Sequence, residues 1–156
     1  MSKLDRLLAR LPDGSLMAGE KAYGRTLRVI GDHPIGRRVI AKTHQQMARA
    51  IATVLKAAEL QGDLSAVELS KKTMEKFFAP LLDVVEESGD TYTFTFSRCP
   101  YSLQNGELAL CHAIMNLEEE LVHELGGELL IEKRLAGGDG HCRFSVQLKR
   151  YHNPAE

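Results

Sequence analysis

A change of period constrains this chain more than any other feature. From Thr91 to Arg98 the residues alternate strictly, Thr-Tyr-Thr-Phe-Thr-Phe-Ser-Arg, with Tyr92, Phe94 and Phe96 on one side. Only a strand sends successive side chains to opposite faces, so this segment predicts a half-buried strand. Cys99-Pro100 ends it, because proline cannot donate in a ladder. Before this point the spacing is helical. Asp32 ahead of His33-Pro34 reads as an N-cap followed by a residue of preset φ. Val39, Ile40, Thr43, Met47, Ile51, Val54, Leu55 and Ala58 then recur at three- and four-residue spacing. They predict one helix to about Leu60 with that set as its buried face, ended by Gln61-Gly62-Asp63.

The other elements follow from caps and breakers. Lys3 to Leu11 offers a turn or two of amphipathic helix before Pro12-Asp13-Gly14. Met17 to Ile30, interrupted by Gly19 and Gly24, is expected to be irregular or partly helical. Ser65 and Glu68 form a capping box that opens a helix to about Ala79. Pro80 breaks it, and Leu81 to Glu87 is expected to add another turn or two, with Ser88-Gly89-Asp90 as a turn. After a loop from Tyr101 to Gly106, Leu108 to Leu125 reads as a helix on a stripe of Leu110, Ala113, Ile114, Leu117, Leu121 and Leu125. Gly126-Gly127 caps it. Glu128 to Arg134 and His141 to Lys149 read as strands joined by a turn at Gly137-Gly138-Asp139-Gly140. Helices come first and strands late, so the expected class is α+β. The expected architecture is a helical N-terminal half packed on a small antiparallel sheet with one long crossover helix. We expect a single domain over residues 1–156. It divides into an arm at 1–31, a helical part at 32–90 and an α/β part at 91–150.

Composition narrows the function classes. With 20 Lys and Arg against 21 Asp and Glu, the net charge of −1 gives no bulk attraction to nucleic acid or an anionic membrane. Trp is absent and aromatics make up 6%, which argues against a base-stacking platform. No apolar run approaches the roughly 20 residues that span a bilayer. The N-terminus does not read as a signal peptide. Three cysteines, an odd count, argue against a disulfide framework and for reduced thiols in the cytoplasm.

Those cysteines are the main chemical candidates. Cys99 stands where a strand stops, Cys111 in the first turns of a helix, and Cys142 where a hairpin strand restarts. Such edges converge at one end of a small sheet. Packing alone accounts for many free cysteines. A soft metal would use thiolates with one further ligand, for which Glu132, His112 and His141 are candidates. The helix dipole could instead activate Cys111 as a nucleophile. Glu120-Leu121-Val122-His123 spells Glu-x-x-His once, where di-iron bundles use it twice. Glu118, Glu119, Glu120, His123 and Glu124 read more simply as a solvated face. The Gly137–Gly140 run joins two strands, so it is a hairpin turn and no phosphate cradle. Arg134 shares strand parity with Leu130 and Glu132, and an inward guanidinium would need an anionic partner. Asp32, His33 and His44 read as cap and surface residues.

Four runs carry a resemblance: Arg98-Cys99-Pro100-Tyr101, Gly106 to Cys111, Glu132 to Ala136, and Gly138 to Phe144. In that order they resemble the L-2-amino-thiazoline-4-carboxylic acid hydrolase family. More broadly they are similar to the 4-vinyl reductase domain, a fold shared with small-ligand sensors and a vesicle-tethering subunit. The match covers about a third of the chain. It implies an α/β unit enclosing a cavity for a small, mostly apolar or cyclic ligand. From the hydrolase branch it implies water-driven opening of a 2-aminothiazoline ring, with Cys99, Cys111 and Cys142 as catalytic candidates and Arg134 and Tyr101 contacting the ligand. From the sensor branch it implies zinc on Cys111, Glu132 and Cys142. Leu135 stands where those sensors carry a further cysteine, so Cys99, His112 or His141 would have to replace it. From the tethering branch it implies a dimeric scaffold, and we expect a homodimer.

Overall fold

The computed structural model describes residues 2–13, 17–58 and 65–149. Five helices precede or interleave four strands: α1 (Lys3–Leu8), α2 (Met17–Gly31), α3 (Pro34–Ala57), α4 (Ala66–Phe78), β1 (Leu82–Glu87), β2 (Thr91–Phe96), α5 (Leu108–Glu124), β3 (Gly127–Lys133) and β4 (Cys142–Leu148). The class is α+β, as the change of period predicts. The strands form one antiparallel sheet in the order β1-β2-β4-β3. β2 and β3 therefore run parallel with β4 between them, and α5 is the crossover that joins them.

The sheet is dry on one side. Tyr92, Phe94 and Phe96 of β2 stand opposite Val146, Phe144 and Cys142 of β4, and all six are buried. The rings of Phe94 and Phe144 stack with centroids 5.5 Å apart. α4 and α5 cover this face, and α3 packs on the other side of α5. On the opposite face Thr93 and Ser145 share a hydrogen bond of 2.9 Å. α1 tucks Leu4 and Leu8 into a second cluster with Ala52, Ala66, Leu69 and Leu125.

Local chemistry explains most boundaries. Ser2 and Asp5 form a capping box at α1, and Ser65 and Glu68 do the same at α4. The cap of α3 is His33 rather than Asp32: its ring accepts the Ile35 N–H, and Pro34 fills the first helical position. The helix stop expected at Gln61-Gly62-Asp63 lies outside the described residues.

Three expectations are corrected. α2 is helical throughout, because Gly24 serves a close approach rather than a break. A Cβ there would stand 2.1 Å from the carbonyl oxygen of Tyr101. Leu82–Glu87 is an edge strand and not a further helical turn. Pro80 sits in a 3-10 turn that stops α4, and β1 pairs with β2 through a bulge between Val84 and Glu86. α3 buries Ile40, His44, Ala48 and Ala52, whereas Val39, Met47, Ile51 and Val54 are exposed. Small residues let α3 come close to α5, and the large ones turn outward.

A thiol-lined apolar pocket with an acidic end

Cys99, Cys111 and Cys142 line one cavity between the dry face of the sheet, α4 and α5. Phe94, Phe96, Phe144 and Val146 form its floor, Leu129 its side, and Met74 and Phe78 of α4 its cover. α5 contributes Ile114, Met115, Glu118 and Val122 beside Cys111. The loop Cys99-Pro100-Tyr101, with Leu103, closes one end. About 80 Å³ is open to the centre of a water-sized sphere, several times the roughly 10–15 Å³ that one water needs.

The thiols reach this wall by element geometry. Cys142 opens β4 opposite Phe96. Cys99 follows β2 after the bend at Ser97 and Arg98, and its carbonyl accepts the Ser102 N–H at 3.0 Å. Cys111 lies one turn inside α5, with its own N–H already bonded to the Glu107 carbonyl at 2.9 Å. It is thus past the free amides that carry the helix-end charge. Burial decides its acidity, pushing the Cys111 thiol up to about 12. Burial also raises Cys99 and Cys142, although the Cys142 sulfur accepts the Leu135 N–H at 3.3 Å. The expected activation of Cys111 by the helix dipole is therefore corrected: at neutral pH it is a protonated thiol.

The candidate metal donors do not converge with the thiols. Glu132 faces the far side of the sheet, where it accepts from Arg143 Nε at 2.5 Å and Ser145 Oγ at 3.3 Å. The His112 ring is engaged through Nε2 with Arg134 Nη1. Burial, then the Arg134 charge, lowers the pKa of His112. His141 sits in the bend before β4. Among the described residues no three or more His, Cys, Asp or Glu side chains stand together so as to hold a metal. The residues present do not fit the zinc site that the resemblance implies. Arg134 lies just past β3 and reaches His112 of α5, so it does not share the side of the sheet that Glu132 faces, and it meets an imidazole instead of an anion. Its Nε is buried without a partner among the described residues.

The polar end of the cavity lies elsewhere. Glu118 belongs to the same helix face as Cys111, Ile114, Met115 and Val122, so α5 carries it into the cavity. Tyr101 donates to Glu118 Oε1 at 2.8 Å. Glu20, from α2, interacts with the same hydroxyl. Among the described residues, Glu118 Oε2 and Glu20 Oε2 are both buried and have no hydrogen-bond partner. Burial lifts the Glu118 carboxyl to about 7, and the nearby carboxylates of Glu20 and Glu119 push the same way. Burial also raises Glu20, and it raises Tyr101 well above the ordinary phenol range.

Neighbouring bonds fix this end in place. Arg28 of α2 grips the loop through the Ser102 carbonyl at 2.8 Å and both carboxylate oxygens of Glu107. Ser102 is held at φ 57°, a left-handed geometry uncommon outside glycine. His44 Nδ1 lies 2.7 Å from the Ile114 carbonyl, which can only accept, so that nitrogen carries the proton. In the neutral ring Nε2 then accepts from the Tyr23 hydroxyl at 2.7 Å. His44 is buried and not a surface residue. The solvated acidic face expected at Glu118–Glu124 is corrected at its first member only. Glu120 pairs with Arg49 at 2.6 Å and Glu124 with Lys56 at 3.8 Å.

No family model matches the chain, and no curated protein matches it. Among solved structures it is similar to a trafficking protein particle complex subunit 3 from Naegleria fowleri, in a structure described as covalently bound to palmitic acid. The two chains are 15% identical, with a TM-score of 0.53. The match covers 86% of this chain and 97% of that one, so what the two share is the fold.

Proposed function

We propose that this chain is a small-molecule-binding module whose pocket takes a compact, mostly apolar ligand beside three protonated thiols. One observation carries the reading: an apolar cavity walled by phenylalanine, methionine and aliphatic side chains, with a few polar groups gathered at one end. Binding sites for organic ligands have this composition. The palmitic acid on the Naegleria subunit supports it as an instance of an apolar chain held by a similar fold. Free thiols suit a reducing compartment such as the cytoplasm. Among the described residues no helix is long and apolar enough to cross a membrane.

A hydrolytic version of this reading rests on Glu118. A carboxyl that titrates near neutrality can take and return a proton, as water-driven opening of a cyclic amidine such as a 2-aminothiazoline carboxylate requires. A separate observation favours a homodimer. Val39 and Val54 of α3 are 55% and 62% exposed, and Met47 between them is 42% exposed. They lie about two turns to either side of Met47, so a second copy of α3 packed antiparallel would set Val39 against Val54.

Titration of the purified protein with the neutral fluorophore N-phenyl-1-naphthylamine tests the pocket. Saturable uptake at one site per chain is expected, weakened when Cys111→Phe fills the cavity without loss of the helical circular dichroism signal. A folded wild-type protein that takes up no dye rejects the reading. Turnover of 2-aminothiazoline-4-carboxylate that is lost in Glu118→Gln would establish the hydrolytic version, and its absence in the wild type would remove it.

A further inference from the structure

The acidic end of the cavity holds more acceptors than donors. Glu118 of α5 and Tyr101 line it, and Glu20 of α2, outside that lining, interacts with the same phenol. That hydroxyl has a single proton, and Glu118 Oε1 receives it at 2.8 Å. Among the described residues, Oε2 of each acid is buried with no hydrogen-bond partner. Among the described residues, the charged groups that shift Glu118 are Glu20 and Glu119, both acidic. A buried carboxylate without a counter-charge is costly, and a site that gathers two of them calls for a positive, donor-rich guest. A hard metal ion would need about six oxygen ligands, more than this end provides. An organic cation needs only N–H donors at its head and apolar walls along its body.

We propose that Glu118, with Glu20 at the same Tyr101 hydroxyl, recognises the protonated amine or amidinium head of a ligand whose apolar body fills the cavity. This inference rests on the pocket reading and gives that ligand its chemical class. An ammonium group carries three donors, enough for Glu118 Oε2, Glu20 Oε2 and one further acceptor. Recognition should depend on pH through Glu118. The titratable groups around it are Glu20 and Tyr23 from α2, Tyr101 from the loop, and Cys111 and Glu119 from its own helix. His44 of α3 acts behind Tyr23. An alkylamine stays protonated below pH 9. Its preference should therefore appear as Glu118 ionises above about 7 and fade below that value.

Displacement of N-phenyl-1-naphthylamine by hexan-1-amine, hexan-1-ol and hexanoate, at pH 5.5 and pH 8, decides the matter. The amine is expected to bind about tenfold tighter than the alcohol at pH 8, and to lose that preference at pH 5.5. Glu118→Gln should level amine and alcohol at both pH values, and Glu20→Gln should reduce the difference. Equal binding of amine and alcohol by the wild type, or tighter binding of hexanoate, overturns the head-group assignment and leaves the pocket reading standing. A preference that survives Glu118→Gln also overturns it. Failure of the dye and all three probes to bind rejects both.

Discussion

Single side chains decide the chemistry of this pocket, and Glu118 is the clearest case. Its carboxyl is lifted from an ordinary 4.5 to about 7, chiefly by burial. Between those pH values the folded chain keeps a proton that the unfolded chain has released, so stability falls as pH rises through that window. Glu118→Gln removes the penalty while still accepting from Tyr101. Urea unfolding should show equal stability at pH 4 and a gain on the order of 1–3 kcal/mol for the variant at pH 8. An equal shift at both pH values would show that the carboxyl is not the cause. Residues of this kind were only half legible in the sequence. The thiols announce themselves by standing at element edges. Glu118 opens a run of three glutamates, and a charged run normally faces water. The counter-signal was its register with Cys111, Ile114, Met115 and Val122, a face that is otherwise apolar. Glu20 and Tyr101 lie 81 positions apart in the chain, and no local pattern joins them.

At the scale of elements, α2 matters most, because it brings Glu20 and Arg28 onto the loop that closes the pocket. Gly24 sets the distance of approach. Gly24→Ala would drive a methyl group into the Tyr101 carbonyl and is expected to cost roughly 1–3 kcal/mol. It should also weaken ligand binding, because the loop must shift. Gly19 on the same helix has nothing within 4 Å of an added Cβ, so Gly19→Ala should be neutral or stabilise by up to about 1 kcal/mol. Matching losses in the two variants, by thermal melting, would mean that helix propensity and not the close approach governs α2. Two glycines thus hid a helix that tertiary contact requires. β1 was hidden in another way: Leu81, Leu82, Val84 and Val85 mimic helical spacing, and the bulge breaks the alternation that would betray an edge strand. β2 and α5 have unbroken periods, and the bounds expected for them lie within two residues of Thr91–Phe96 and Leu108–Glu124.

For the molecule as a whole, the division of apolar surface on α3 is the open account. Of the predicted buried face, Ile40 goes inward, while Val39, Met47, Ile51 and Val54 remain outside; His44, Ala48 and Ala52, which that prediction left out, complete the inward stripe against α5. Size explains the sorting: helices approach closely through small residues, and spacing alone cannot tell which of two adjacent stripes does so. If a second copy covers the outer stripe, light scattering should report twice the mass of the 17.3 kDa chain. Val39→Glu combined with Val54→Glu should then return a folded monomer. A wild-type monomer at high concentration removes the dimer. The order of the sheet carries a further consequence. β4 lies between β2 and β3 although it follows both in the chain. On the ribosome, the β1–β2 hairpin and the α5–β3 unit therefore emerge with no strand to share, and the floor of the cavity is missing its centre. The floor of the pocket is therefore expected to be completed only when β4 inserts between the two units that precede it.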